Sequence, residues 1–238
     1  MIFLDAHVHI YPEYDLDALF SAFAGRARSA APAGSGLAMA VLLRSFQRDL
    51  ASLLALPAGS RWRVEEQGGG DTAAVVTDGD VRIALFPARQ VAARERVELL
   101  GFFGDAPVPD GLPLAETADR LRDAGYLPVI AWGRGKWLFK RGRLVAGLMA
   151  DEARREPRPL VGDSALRPPF WPEPLFRLAG RLGLRLAYGS DPLPGAGNAR
   201  RAGMYATLVD AAPTPSCAAL LRALREAPMR PCGRRALI

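Results

Sequence analysis

Short apolar segments alternate with segments of helical periodicity along most of the chain, and this alternation constrains the fold more than any other feature. The runs with the length and composition of buried strands are residues 2–4, 37–43, 97–103, 127–131, 159–162 and 184–188. The helical patterns are residues 15–24, 47–56, 114–124, 143–152, 174–182, 198–211 and 216–225. Strands that alternate with helices in this way predict βαβ units and a parallel sheet.

The pattern changes between residues 61 and 90. Strand patterns at 62–66, 72–77 and 81–86 are separated there by turns rich in glycine and aspartate. Such turns favour antiparallel hairpins. We therefore expect residues 61–90 to form a small β-meander, inserted in the sheet or elaborating one of its strands.

The predicted fold is α/β: a distorted, TIM-like parallel β/α barrel of about seven strands with the inserted β-meander. One domain would span residues 1–238, with a C-terminal helix and basic tail at 213–238. An open doubly wound sheet would fit the same strand count. No GxGxxG follows the first strand and no GxxxxGK[ST] occurs, so the chain lacks both common glycine-rich nucleotide motifs.

The composition is typical of a soluble protein. Half of the residues are hydrophobic, yet no apolar run approaches the roughly 20 residues that span a bilayer. No basic region precedes the first apolar run, so we expect no signal peptide, a cytoplasmic location and no membrane partner. The formal charge of +6 could attract nucleic acid, but the arginines are spread along the chain, and a solvated surface is the preferred interpretation. Cys217 and Cys232 are expected to be free thiols.

The two histidines of the chain lie two residues apart, directly after the first predicted strand. Residues two apart in an extended segment point to the same side, so His7 and His9 can present two imidazoles to one ion. Asp5 lies on that side as a third ligand or as a partner that orients a ligand. A packing role for both histidines is the alternative.

Two segments resemble the metal-dependent hydrolase barrels, meaning the amidohydrolase superfamily and the polymerase-and-histidinol-phosphatase (PHP) family. The first is FLDAHVHIYP at the N-terminus, and the second is LAYGSDPLP at residues 186–194. In those families a late strand followed by Gly-Ser-Asp delivers a metal-binding aspartate, which the resemblance assigns to Asp191. The order of the two motifs, on the first and last strands of a barrel, makes the resemblance specific.

The middle of the chain is more similar to the PHP family but lacks further histidine ligands. Gln90 and Glu98 stand where that family places a bridging glutamate and a histidine, and Trp132 replaces the histidine of another strand. Ser45 and Phe46 stand where two more ligands would be, and Leu193 replaces the final histidine. The resemblance therefore implies one mononuclear site for zinc or manganese, or a barrel that has lost its metal.

Two loops contain charged residues that could bind a substrate. WGRGKW, at residues 132–137, combines Trp132 with Arg134 and Lys136, which could hold an anionic group. GDSALRPP, at residues 162–169, places Asp163 and Arg167 after another strand, where they could face the site or only fix the loop.

The resulting hypothesis is a metal-dependent hydrolase of the PHP or amidohydrolase type. It would cleave an ester, amide or phosphate bond of a small anionic substrate through metal-activated water. The metal ligands would be His7, His9 and Asp191, supported by Asp5, and Asp191 or Glu98 would accept a proton. The alternative is a non-catalytic barrel that has lost its metal and acts as a ligand-binding or scaffold protein. A nucleic-acid partner is not expected.

Overall fold

The computed structural model describes residues 1–43, 50, 53–66, 71–104, 106–171 and 173–233. Its helices are α1 (Leu16–Ala30), α2 (Leu114–Asp123), α3 (Phe139–Glu152), α4 (Pro174–Arg181), α5 (Cys217–Glu226) and a short 3-10 helix (Ala196–Arg201). Its strands are β1 (Ile2–Val8), β2 (Gly36–Leu43), β3 (Arg63–Glu66), β4 (Ala74–Asp78), β5 (Val81–Ala92), β6 (Glu98–Phe102), β7 (Leu127–Ala131), β8 (Leu160–Ser164), β9 (Arg185–Gly189), β10 (Tyr205–Val209) and β11 (Met229–Gly233).

The strands form one mixed sheet of 11 strands in the order β11-β10-β1-β2-β5-β6-β7-β8-β9, with β3 and β4 branching from β5. β1, β2 and β5 run parallel to one another, and so do β7, β8 and β9. β6 is antiparallel to both of its neighbours, and β10 is antiparallel to β1 and β11. The sheet curves until β9 approaches β10, where the Tyr188 amide donates to Thr207 Oγ1 at 2.8 Å.

The predicted TIM-like parallel barrel of about seven strands is therefore wrong, because the sheet is mixed, has 11 strands and is only nearly closed. The length of one connection explains the first difference. Residues 93–97 join β5 to β6, whereas a parallel pair needs a crossover of about a dozen residues or more. So short a connection allows only an antiparallel hairpin.

The second difference lies near the C-terminus. Residues 198–211 were expected to form a helix, but they contain the end of the 3-10 helix and then β10. β10 contains aromatic and β-branched residues, such as Tyr205 and Val209, which favour strands. Part of the expected basic tail is β11, which pairs with β10, while residues 234–238 lie outside the described part. Most of the predicted helix at 47–56, with Ser45 and Phe46, also lies outside it.

The hydrophobic core forms three clusters on the two faces of this curved sheet. Alternate strand residues such as Leu4, Ala40 and Val129 pack together on the inner face. On one part of the outer face, Phe3 and Met39 pack under α1. Elsewhere on the outer face α2, α3 and α4 cover β6, β7 and β8. This arrangement leaves the ends of the strands as the places where polar groups can meet.

No helix within the described residues has the length and apolarity needed to cross a bilayer. The cytoplasmic location stays a prediction, and so does the expectation of no nucleic-acid partner.

Candidate metal centre

The two histidines lie at the carboxyl end of β1, beside a β-bulge. Asp5 pairs with Met39 and Val8 pairs with Val41, so β1 has one more residue than β2 between these two pairs. A bulge of this kind redirects the side chains that follow it. His7 and His9 are buried, with only 6% and 5% of their surface exposed, and their Nε2 atoms are 3.3 Å apart.

Asp191 reaches the same point from the loop after β9. Its amide donates to the His7 carbonyl at 2.9 Å, and its Oδ1 lies 3.3 Å from His7 Nε2. Ser164 Oγ, at the end of β8, donates to Asp191 Oδ2 at 3.1 Å and so fixes the carboxylate plane. Asp191 has a φ of +48°, in the left-handed region that aspartate tolerates better than most residues.

Gly189 explains why a Gly-Ser-Asp sequence suits this position. A Cβ at residue 189 would lie 2.4 Å from His7 Cβ and 2.5 Å from the His7 backbone nitrogen. Only glycine therefore lets β9 come this close to β1, and this contact brings Asp191 to the histidines.

The three side chains have the geometry of a ligand set. One ligand atom from each of His7, His9 and Asp191 lies within 4.8 Å of the other two. Two ligands that are about 2.0–2.1 Å from a tetrahedral ion are themselves about 3.3–3.4 Å apart. Both short separations here are 3.3 Å. The 3.3 Å between the two Nε2 atoms would also suit an N–H···N hydrogen bond, and the 3.3 Å between His7 Nε2 and Asp191 Oδ1 would suit an N–H···O one.

Asp5 is fully buried beneath this group and is engaged with the backbone. Its Oδ1 accepts from the amides of Ser190 at 2.8 Å and His7 at 3.2 Å. Its Oδ2 accepts from the Gly203 amide at 2.7 Å and from the Ser190 hydroxyl. Burial raises the pKa of Asp5 to about 6, against the lowering effect of these hydrogen bonds. Asp5 therefore ties β1 to the loops that follow β9 and the 3-10 helix.

Burial also sets the protonation of the candidate ligands. It lowers the pKa of His7 to about 4, with Glu98 acting to raise it and Lys136 to lower it further. His7 is therefore a neutral imidazole near pH 7, which is the form that binds metals. Burial raises the pKa of Asp191, against the effects of His9, Ser164 and Lys136. A cation between these groups would favour the ionised carboxylate.

Glu98 and Lys136 reach the same edge of the sheet from different elements. β6 runs opposite to β7, so its first residue, Glu98, lies beside the carboxyl end of β7. Lys136, in the loop after β7, forms an ion pair with Glu98. Trp132 is buried in the same loop, and its indole nitrogen donates to Glu173 Oε2 at 3.2 Å.

Asp163 and Arg167 form a buried ion pair beside the centre. Arg167 Nε and Nη2 donate to the two carboxylate oxygens at 2.7 and 2.6 Å, and Nη1 donates to the Trp171 carbonyl at 2.8 Å. The Tyr205 hydroxyl also donates to Asp163 at 3.1 Å. Arg167 is thus occupied within the protein and fixes the loop after β8. Arg134 is exposed in the loop after β7.

Ser164 was not predicted to support the centre, and Gly189 and Ser190 were predicted only as the turn of the Gly-Ser-Asp motif. Ser164 is the last residue of β8 and Ser190 follows β9 directly, but a serine at a strand end is too common to indicate a role. Their importance depends on contacts between β1, β8 and β9 that the chain alone does not reveal.

Comparison with protein-family models and with curated proteins gives no match for this chain. Among the solved structures that match this chain are those of PsfC and of an endonuclease. The crystal structure of PsfC from Pseudomonas syringae PB-5123 matches with a TM-score of 0.54 and 14% identity, over 97% of this chain and 90% of PsfC. The novel lesion-specific endonuclease PfuEndoQ from Pyrococcus furiosus matches with a TM-score of 0.49 and 14% identity, over 94% of this chain and 56% of the endonuclease.

These comparisons correct the family expectation. The predicted resemblance to the PHP and amidohydrolase families is wrong: no family model matches, and the fold is similar to that of PsfC. The mixed sheet also removes the TIM-barrel architecture on which that resemblance depended. At 14% identity, the likeness to PsfC shows a shared overall fold alone.

Proposed function

We propose that this protein is a metal-dependent hydrolase that cleaves an ester, amide or phosphate bond of a small anionic substrate. The observation that supports this proposal is the convergence of His7, His9 and Asp191, whose ligand atoms lie within 4.8 Å of one another. Two nitrogens and one oxygen are a common protein ligand set of catalytic zinc, with a fourth position open.

Zinc is the preferred ion and manganese the alternative. Two imidazole nitrogens and one carboxylate oxygen suit zinc better than manganese, which prefers oxygen ligands. Asp5 would support the site without binding the ion, because the backbone and Ser190 already use both of its oxygens. A bound divalent ion supplies Lewis acidity and activates water for attack near neutral pH.

Glu98 is the preferred proton acceptor. Asp191 directs one oxygen at His7 and accepts from Ser164 with the other, which leaves it little freedom to accept a proton. Glu98 is partly exposed, and its charge acts on His7. Lys136, its ion-pair partner, would turn toward the anionic group of an arriving substrate and release the Glu98 carboxylate.

The remaining residues named from the sequence act around this centre. Asp163 and Arg167 hold the loop after β8, so they would position the substrate cleft and not contact the anion. Trp132 and Arg134 are proposed to line the substrate side of the loop after β7.

Hydrolysis assays on metal-stripped and zinc-reloaded protein test the proposal, with p-nitrophenyl phosphate and p-nitrophenyl acetate as substrates. We expect activity only after reloading, loss of activity in His9→Ala, and a fall in kcat in Glu98→Gln at constant zinc occupancy. Glu65→Gln, an exposed carboxylate on β3, is the matched control and should keep full activity. Zinc binding without hydrolysis of either substrate class would favour the non-catalytic alternative, a ligand-binding or scaffold protein.

A further inference from the structure

A cavity of about 280 Å³ lies between the loops after β7 and β8. Three tryptophans line it: Trp132, Trp137 and Trp171. The loop after β7 also contributes Arg134 to its wall. The same loop contains Lys136, which pairs with Glu98 and acts electrostatically on His7. Because β1, β7 and β8 run in the same direction, the cavity and the centre lie at the same end of the sheet.

The buried tryptophans offer ring surface to this cavity and no hydrogen-bond donor. Trp132 Nε1 donates to Glu173 Oε2 at 3.2 Å, and Trp137 Nε1 donates to the Ala131 carbonyl at 3.0 Å. Both indole N–H groups are thus satisfied inside the protein. Trp171 remains 40% exposed, so its ring can close over a ligand. Walls of this kind favour a planar aromatic group, which can stack on the rings.

Arg134 supplies the charge that a ligand can meet. It is exposed, and within the described ranges of the chain it forms no ion pair. The other charged group of the cavity, Glu173, already accepts from Trp132 Nε1 and, as the N-cap of α4, from the Leu175 amide. The cavity therefore combines aromatic walls with one available cation, a pairing that suits a ring bearing an anionic group.

We propose that this cavity binds a single planar aromatic ring carrying an anionic group, and that this ring belongs to the substrate. Its volume is just below the roughly 300–1,000 Å³ of sites for drug-sized ligands, which favours one ring over a larger fused or sugar-bearing group. The assignment of the ring to the substrate rests on the proposed hydrolase function. The binding of the ring does not, so the two are tested separately.

Binding is measured first, on metal-stripped protein, by isothermal calorimetry with phenyl phosphate. Methyl phosphate, which has the anion without the ring, and phenol, which has the ring without the anion, should each bind at least about 10-fold more weakly. Trp171→Ala and Arg134→Ala should each weaken phenyl phosphate binding by about 10-fold. Phe170→Ala and Arg143→Ala, exposed residues that do not line the cavity, should leave it unchanged.

Uridine monophosphate tests whether the ring and the phosphate can come from a nucleotide, in which a ribose joins them. It should bind more weakly than phenyl phosphate because its ribose exceeds the cavity; tighter binding would overturn the single-ring proposal. Equal affinities for phenyl phosphate and methyl phosphate would also overturn it. So would an unchanged affinity for phenyl phosphate in both Trp171→Ala and Arg134→Ala.

The kinetic test uses the zinc-reloaded protein with benzyl phosphate and methyl phosphate as competing substrates, because their leaving groups are similarly basic. We expect a kcat/KM ratio of about 10 or more in favour of the benzyl ester, reduced toward 1 in Trp171→Ala. Phenyl phosphate binding without any hydrolysis would contradict the proposed function and leave the ring site standing. Hydrolysis with no preference for the ring would contradict the ring site alone.

Discussion

Replacing Asp5 by asparagine separates the cost of burying a carboxylate from the hydrogen bonds that the carboxylate accepts. Burial raises the pKa of Asp5 from 3.8 to about 6. On acidification from pH 8 to pH 5 the native protein therefore binds a proton at this residue, while the unfolded chain remains largely ionised there. Because the native pKa is the higher one, the free energy of unfolding rises as pH falls through about 6.

The size of this effect follows from the shift. One pKa unit corresponds to about 1.4 kcal/mol, and pH 5 is one unit below the native pKa of about 6. The wild type should therefore gain about 1 kcal/mol of stability between pH 8 and pH 5, and Asp5→Asn should not. Asparagine also turns an amide group toward a donor such as the Gly203 N–H, which costs roughly 1–3 kcal/mol at either pH.

Urea unfolding of the metal-stripped proteins at pH 5 and pH 8 measures both the pH-dependent gain in stability and the cost of the asparagine amide group. The stability difference between wild type and Asp5→Asn should be larger at pH 5 by about 1 kcal/mol. Asp80→Asn, at an exposed carboxylate, should show no such change and serves as the control. If the stability difference between wild type and Asp5→Asn is the same at both pH values, Asp5 does not take up a proton in this range and its pKa is not raised by burial.

Three further predictions concern single residues. Gly189→Ala should lower both stability and zinc affinity, since its Cβ would clash with His7; unchanged urea unfolding would contradict the close packing of β9 on β1. Ser164→Ala should weaken zinc binding by about 10–100-fold, because it frees the Asp191 carboxylate, and equal calorimetric affinities would exclude that role. Burial raises the pKa of Cys217 to about 11, so its labelling by a thiol reagent at pH 8 should be much slower in the native protein than in urea; equal rates would show that the thiol is accessible.

The positions of the strands could be predicted from the sequence more readily than their directions. Runs such as residues 37–43 and 127–131 are apolar enough to indicate buried strands, and the structure places β2 and β7 there. Direction depends on the connections, and the short link at 93–97 forces β6 to run against its neighbours. The helical spacing of apolar residues at 198–211 wrongly predicted a helix. Part of this segment is β10, which is stabilised by pairing with β1 and β11.

The same distinction holds for the candidate site. His7 and His9 could be found because they are the two histidines of the chain and lie only two residues apart, after an apolar run. Asp191 could be found because Gly-Ser-Asp follows an apolar strand, although the family resemblance that drew attention to it was wrong. The role of Ser164 and the capture of Arg167 by Asp163 depend on contacts in the folded protein.

Calorimetric titration of the metal-stripped protein with zinc at neutral pH tests whether His7, His9 and Asp191 bind a metal ion. We expect one site per chain, abolished in His7→Ala, His9→Ala and Asp191→Ala, weakened in Asp5→Asn and unchanged in the exposed control Phe170→Ala. Losing one of three protein ligands should cost more than the about 10–100-fold that the loss of a supporting residue costs. If the wild type binds zinc and manganese no tighter than in the millimolar range, the metal centre and the hydrolase proposal are both contradicted.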